Sequence, residues 1–180
     1  MKLLYSCFMV LFLSACSSVD INQYKDNQPT LILDQFFNGE LTAHGILKNR
    51  SGEVTRYFNV TMTGSWNENG IGTLAEKFIF DDDNIQFRTW TFTPITTATG
   101  MRYQATANDT LGATMIDLSG NAFFMNYDLL INYKGDDMDV NIDDKMYLIN
   151  DEVMINESVM TKFGIEVGYI TLTIIKSSLK

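Results

Sequence analysis

Histidine, cysteine, proline and basic residues are all scarce in this chain. One histidine, two cysteines and two prolines occur in 180 residues, and 13 Lys and Arg stand against 22 Asp and Glu. Each shortage excludes something. His44 is the single imidazole, so no second one can join it on a metal, and no G-x-S-x-G accompanies it for a nucleophilic triad. It reads as an ordinary strand residue. A formal charge of −9 argues against nucleic acid and against electrostatic adhesion to anionic head groups, because both reward Lys/Arg clusters. With only Pro29 and Pro94, long strands run with little interruption. No apolar run reaches the roughly twenty residues of a membrane-spanning helix. No cofactor and no metal site is expected.

The main apolar stretch lies at the start. Lys2 precedes Leu3 to Leu13, and Ser14, Ala15 and Cys16 follow. A positive charge, a short apolar run and small residues are the layout of a secretory signal. Leu13-Ser14-Ala15-Cys16 also resembles the bacterial lipobox. In such signals the thiol receives a diacylglycerol, the chain is cut just before the cysteine, and the new amine is usually acylated. The resemblance implies a signal peptide over residues 1–15, lipidation of Cys16 and a polar tether over 16–28. An ordinary secretory signal with an incidental cysteine is the alternative. Each buried methylene contributes roughly 0.8 kcal/mol, so two or three chains anchor a protein durably. Ser17 lacks the aspartate that retains many lipoproteins in the inner membrane. The expected location is therefore the outer membrane of a Gram-negative bacterium, facing the periplasm.

Loss of Lys2 with the signal takes the formal charge from −9 to −10. Cys7 leaves with it and Cys16 is alkylated. Residues 29–180 then have no disulfide, and a packed core must stabilise them as one domain.

Turn signals recur from Asn38-Gly39 to Asn150-Asp151, with β-branched and aromatic segments of about eight to fourteen residues between them. That is the pattern of an antiparallel all-β domain. In 53–66 the even positions Val54, Phe58, Val60, Met62 and Trp66 are apolar, Arg56 excepted, and in 121–133 the odd positions from Phe123 to Tyr133 are. Each reads as a half-buried strand. Met138, Val140 and Ile142 alternate with acids, and the phase is expected to slip at Asp143-Asp144 through a β-bulge. A last strand is expected over about 167–175. A short helix between Pro29 and Gly39, with Leu33, Phe36 and Phe37 on one face, would cover one end. Nine or so sequential strands predict an up-and-down β-barrel, whose closure removes exposed edges. A two-sheet sandwich is the rival.

The acidic runs read as solvated surface. Asp81-Asp82-Asp83-Asn84 lies between two apolar segments and is a hairpin turn rather than a calcium loop. Asp136, Asp137, Asp139, Asp143 and Asp144 read as a solubilising strand face. A sharper signal is polar residues in core-facing phase. Glu76 keeps phase with Leu74, Phe78 and Phe80, and Arg88 with Trp90 and Phe92. If the hairpin pairs residues whose numbers sum to 164, Glu76 faces Arg88 and Leu74 faces Trp90. A slip of one residue would send Arg88 outward. Buried charges are costly unless paired, so an ion pair beside an indole inside a barrel would mark a candidate site. A structural salt bridge or a surface arginine is the plainer reading. Arg102, in phase with Gln104 and Thr106, is a candidate second cation, and Tyr127 belongs to the aromatic interior.

Several stretches together resemble a family of bacterial lipoproteins known as domain of unknown function 3833. They are F-F-N-G-E-L-T-A-H-G at 36–45, F-R-T-W at 87–90, G-N-A at 120–122, D-D-K-M-Y-L at 143–148 and T-K-F-G-I-E-V-G at 161–168. Lys145 stands where a tryptophan is expected in the fourth stretch. The resemblance implies a lipocalin-like fold and, since members of that family are often encoded near enzymes that modify fatty acids, it implies a link to lipids. It implies no catalytic residues.

Three functions follow as expectations. The first is a lipid-anchored barrel binding a small apolar or amphipathic ligand, such as a fatty acid or lipid, between an aromatic wall (Phe58, Trp66, Trp90, Phe92, Tyr127) and Arg88 or Arg102. The second is a filled barrel that docks another envelope protein. The third is a lipid isomerase or hydrolase using Glu76, which the lack of a nucleophile–base pair disfavours.

Overall fold

A computed structural model describes residues 19–98, 100–133 and 135–177. The expected signal peptide, Cys16 and the first residues of the tether lie outside them. Ten strands follow one another: β1 (Gly39–Asn49), β2 (Val54–Trp66), β3 (Gly72–Phe80), β4 (Ile85–Thr97), β5 (Gly100–Ala107), β6 (Thr114–Ser119), β7 (Ala122–Tyr133), β8 (Asp136–Asn150), β9 (Val153–Lys162) and β10 (Ile165–Lys176). Each pairs antiparallel with the next, and β10 returns to β1 from Leu41↔Lys176 to Asn49↔Gly168, closing the barrel. The expected barrel stands, with one strand more than the turn count suggested.

Period-two alternation selects the inward face. Phe58, Val60 and Met62 of β2, Phe123, Met125, Tyr127 and Leu129 of β7, and Val140 and Ile142 of β8 are buried inside. Register shifts fall at Leu47/Lys48, Glu166/Gly168 and Leu148/Asn150. The bulge expected at Asp143-Asp144 is absent. β7 and β8 pair without a break from Ala122↔Tyr147 to Tyr133↔Asp136. Asp144 therefore keeps the inward phase of Val140, Ile142 and Leu148 and is 5 % exposed, so it is no part of a solubilising face. A carboxylate in an inward slot imitates a phase slip when polarity alone is read.

One end is plugged. Helix α1 (Leu33–Phe36) is a single turn that starts beyond Pro29 and buries Leu33, Phe36 and the following Phe37. The Lys176 ammonium donates to the carbonyls of Gln35, Phe36 and Asn38 at 2.7, 2.9 and 2.6 Å, and Trp66 Nε1 donates to Phe37 O at 3.0 Å. Gly64 makes room, since a Cβ there would lie 2.0 Å from Phe37 O. The tether expectation is shortened. Residues Ile21–Tyr24 form a 3-10 turn packed on β6 and β7, with the Tyr24 ring 5.9 Å from Phe124 and 5.2 Å from Tyr147.

Short turns ring the opposite end. β6 is brief, and β5 and β6 pair only over Tyr103–Ala105 and Thr114–Ile116. Residues 108–113 complete the wall beside β7: Leu111 N donates to Asp128 O, and Leu130 N to Asp109 O, both at 2.8 Å. That substitution for strand places Asp109 beside the interior.

Candidate functional site

The β3–β4 hairpin turns at Asp81–Asn84, so Glu76 does face Arg88 and Leu74 faces Trp90. Of the two registers left open by the sequence, this is the one that turns Arg88 inward. The expected direct ion pair is not formed: the Arg88 guanidinium is engaged by Asp109, with Nε 2.9 and 3.0 Å from its two carboxylate oxygens. Glu76 is half-buried, and its Oε2, out of contact with solvent, has no hydrogen-bond partner. The Arg88 guanidinium also lies 5.5 Å from the Phe78 ring and 5.8 Å from the Trp90 ring.

Across the interior stands a second carboxylate, Asp144. It accepts from Tyr127 Oη at 3.0 Å, from Asn156 Nδ2 at 3.3 Å and from Ser158 Oγ. Tyr127 in turn packs edge-on against Trp90, with ring centroids 5.1 Å apart. Burial pushes the Glu76 carboxyl up to about 7; Arg88 opposes the shift, Asp109 and Asp144 reinforce it, and a Trp90 hydrogen bond opposes it. Burial likewise raises Asp144 against its three donors, and it raises Tyr127 well above the ordinary phenol range. Asp109 alone contacts the Arg88 guanidinium, while Glu76 and Asp144 feel its charge from a distance. Glu76 holds a proton near neutrality because ionising it would add an unpaired charge in a low dielectric.

A cavity of about 40 Å³ adjoins Glu76, lined also by Phe37, Leu74, Trp90, Phe92 and Met125. It has room for one or two waters. Above this level the inward side chains Phe78, Phe80, Ile131, Met160, Ile170 and Leu172 are only partly buried, so the unplugged end presents an apolar mouth. Arg56 sits at its rim in the inward phase of β2. Its guanidinium lies 3.7 Å from the centre of the Phe80 ring, Nη2 is 2.7 Å from Asp82 Oδ1, and Nε is buried without a partner.

Of the residues singled out in the sequence, Glu76, Arg88, Trp90 and Tyr127 come together. Arg102 does not. The inward residues of β5 are Tyr103, Ala105 and Ala107, which turns Arg102 outward to pair with Asp117. His44 is an exposed strand residue bonded to Asn59 at 2.6 Å. Sequence reasoning missed Asp109, Asp144, Asn156, Ser158 and the rim role of Arg56. A usable signal existed for four of them, since each is a polar residue in phase with apolar neighbours: Asp144 with Ile142, Asn156 and Ser158 with Met154, and Arg56 with Phe58. Asp109 carried none, because it lies in a loop.

A closed up-and-down barrel plugged by an N-terminal helical turn is a lipocalin-like barrel. The family described as "Protein of unknown function (DUF3833)" matches residues 10–176, and the chain belongs to it. No functionally curated protein matches the sequence. The S-type phycobiliprotein lyase CPES of Guillardia theta is similar in structure, with a TM-score of 0.61 and 8% identity over 90% of this chain and 100% of that one. A protein of unknown function of the DUF3598 family from Nostoc punctiforme shares a TM-score of 0.55 and 12% identity over 84% of this chain. The match spans about half of that protein (51%). At such identities the likeness is one of fold.

Proposed function

We propose that the protein is a lipid-anchored envelope lipoprotein whose barrel holds a small amphipathic ligand at its unplugged end. The observation that carries this reading is the mouth itself. Inward-facing Phe78, Phe80, Met160, Ile170 and Leu172 remain partly exposed where a filled domain would bury them. Apolar walls with a few placed polar groups are the usual design of ligand sites. The phycobiliprotein lyase, whose fold is alike, lends support through architecture only. Lipidation at Cys16 and an outer-membrane, periplasm-facing location belong to the same proposal and rest on the lipobox.

Native mass spectrometry of the protein purified from cells, followed by organic extraction, tests the reading. One stoichiometric lipid-like mass beyond the anchor supports it, and a bare protein mass with an empty extract overturns it. Metabolic labelling with palmitate, retained by the native chain and lost in Cys16→Ala, tests the anchor separately.

One observation favours a second reading, a barrel filled by its own side chains that docks another envelope protein. The cavity beside Glu76 is about 40 Å³, against the roughly 300–1,000 Å³ of a drug-sized site. Co-purification of one protein in fixed ratio, with no small molecule, would select it.

A further inference from the structure

We propose that Arg56 is the head-group site of this barrel, taking the anionic end of an acyl-chain ligand at the rim; this rests on the ligand reading above. The barrel interior offers two arginines in inward phase, and their surroundings differ. Arg88 is bonded through Nε to both oxygens of Asp109 and stands opposite Glu76 across the β3–β4 pair. An incoming anion there would be a third acid beside one cation. Arg56 meets one carboxylate, that of Asp82, through a single contact from Nη2.

Asp82 belongs to the exposed β3–β4 turn and is 60% exposed. Nothing in the fold buries it, so it can yield to a competing acid. The Arg56 Nε lacks any acceptor although it is out of contact with solvent, and a buried N–H without a partner is costly. The guanidinium carbon lies 3.7 Å from the centre of the Phe80 ring, a cation–π contact that restrains the fork. Below it Phe58, Phe78 and Phe80 form a cluster with centroids 5.6 to 6.3 Å apart, continuous with the apolar mouth. A planar cation above an apolar wall matches a carboxylate or phosphate monoester joined to an alkyl chain.

The test uses the purified full chain in non-ionic detergent with 11-(dansylamino)undecanoic acid and its methyl ester. Both tryptophans lie inside the barrel, so energy transfer to the dansyl group reports barrel-bound probe and ignores micelles. The acid should bind the unaltered protein about tenfold more tightly than the ester, the worth of a charge-assisted bond. Arg56→Met should remove that preference with ester binding unchanged. Asp82→Asn, a turn substitution that spares the fold, should tighten the acid and leave the ester alone. An acid-to-ester ratio that neither variant moves overturns the assignment while leaving ligand binding intact. Failure of both probes to bind any form overturns the ligand reading and this one together. Displacement by dodecanoate or by dodecyl phosphate names the head group; displacement by neither counts against the site.

Discussion

Glu76 and Arg88 stand opposite each other on β3 and β4, yet the arginine is bound by Asp109 at 2.9 Å and Glu76 keeps one oxygen without a partner. This division of one cation among several acids sets the behaviour of the interior, and it can be tested.

Glu76 makes stability depend on pH. Its carboxyl is raised from 4.5 to about 7 in the folded protein, so the folded state binds the proton more tightly than the unfolded one. The contribution is fully present below about pH 4.5 and is lost as pH rises through 7, an effect on the order of 3 kcal/mol. Asp144, raised in the same direction, adds to the slope. Urea unfolding followed from pH 5 to 8 should show stability falling, and Glu76→Gln should flatten the fall. An unchanged slope in that variant would remove Glu76 as its source.

Removing Asp109 should harm the protein more than removing Glu76. Asp109→Ala leaves the Arg88 guanidinium, 17% exposed, without its partner, and stranding a charge in this way costs about 3 kcal/mol. Chemical denaturation measures it. A loss smaller than that of Glu76→Ala would mean that Arg88 finds another acceptor.

The plug depends on Lys176. Its ammonium satisfies three carbonyls of the α1 turn, and Lys176→Met keeps most of the stem while removing those bonds. Hydrogen bonds to charged groups are worth about 1.5–3 kcal/mol, so amides of residues 33–37 should exchange faster than those of β7. Equal protection in the variant and the parent would show that packing of Phe36 and Phe37 alone holds the plug.

Gly120→Ala should unseat the N-terminal segment without opening the barrel. Gly120 has φ +54, and a Cβ there would fall 1.8 Å from Tyr24 O. A left-handed φ is already unfavourable for alanine, and backbone cannot yield to such a contact. Limited proteolysis should cleave the 20–30 segment about tenfold faster, as expected of a locally released element. Parent-like resistance would show that the turn rearranges instead.

The parts of this molecule that sequence reveals are those governed by local physics. Alternation in 53–66 and 121–133 follows from the two-residue period of a strand, and it located the inward faces of β2 and β7. The turn at Asp81–Asn84 marked the β3–β4 hairpin, but two registers one residue apart remained open, and the structure selects the one with Glu76 opposite Arg88. Asp144 was legible in phase but was misread as a bulge, because polarity was taken to mean solvent. The structure supplies the reason it is tolerated inside: Tyr127, Asn156 and Ser158 donate to it from β7 and β9.

Sequence by itself determined the strand pattern, the short plugging helix and the pairing of neighbours, since each depends on residues close together in the chain. Tertiary structure alone decided which acid Arg88 keeps, that Arg102 faces out, and that Arg56 lies over Phe80 at the rim. Those outcomes depend on closure, on the 108–113 loop standing in for missing strand, and on how side chains from distant strands share a confined volume. Such terms couple residues far apart in sequence, and no local period carries them.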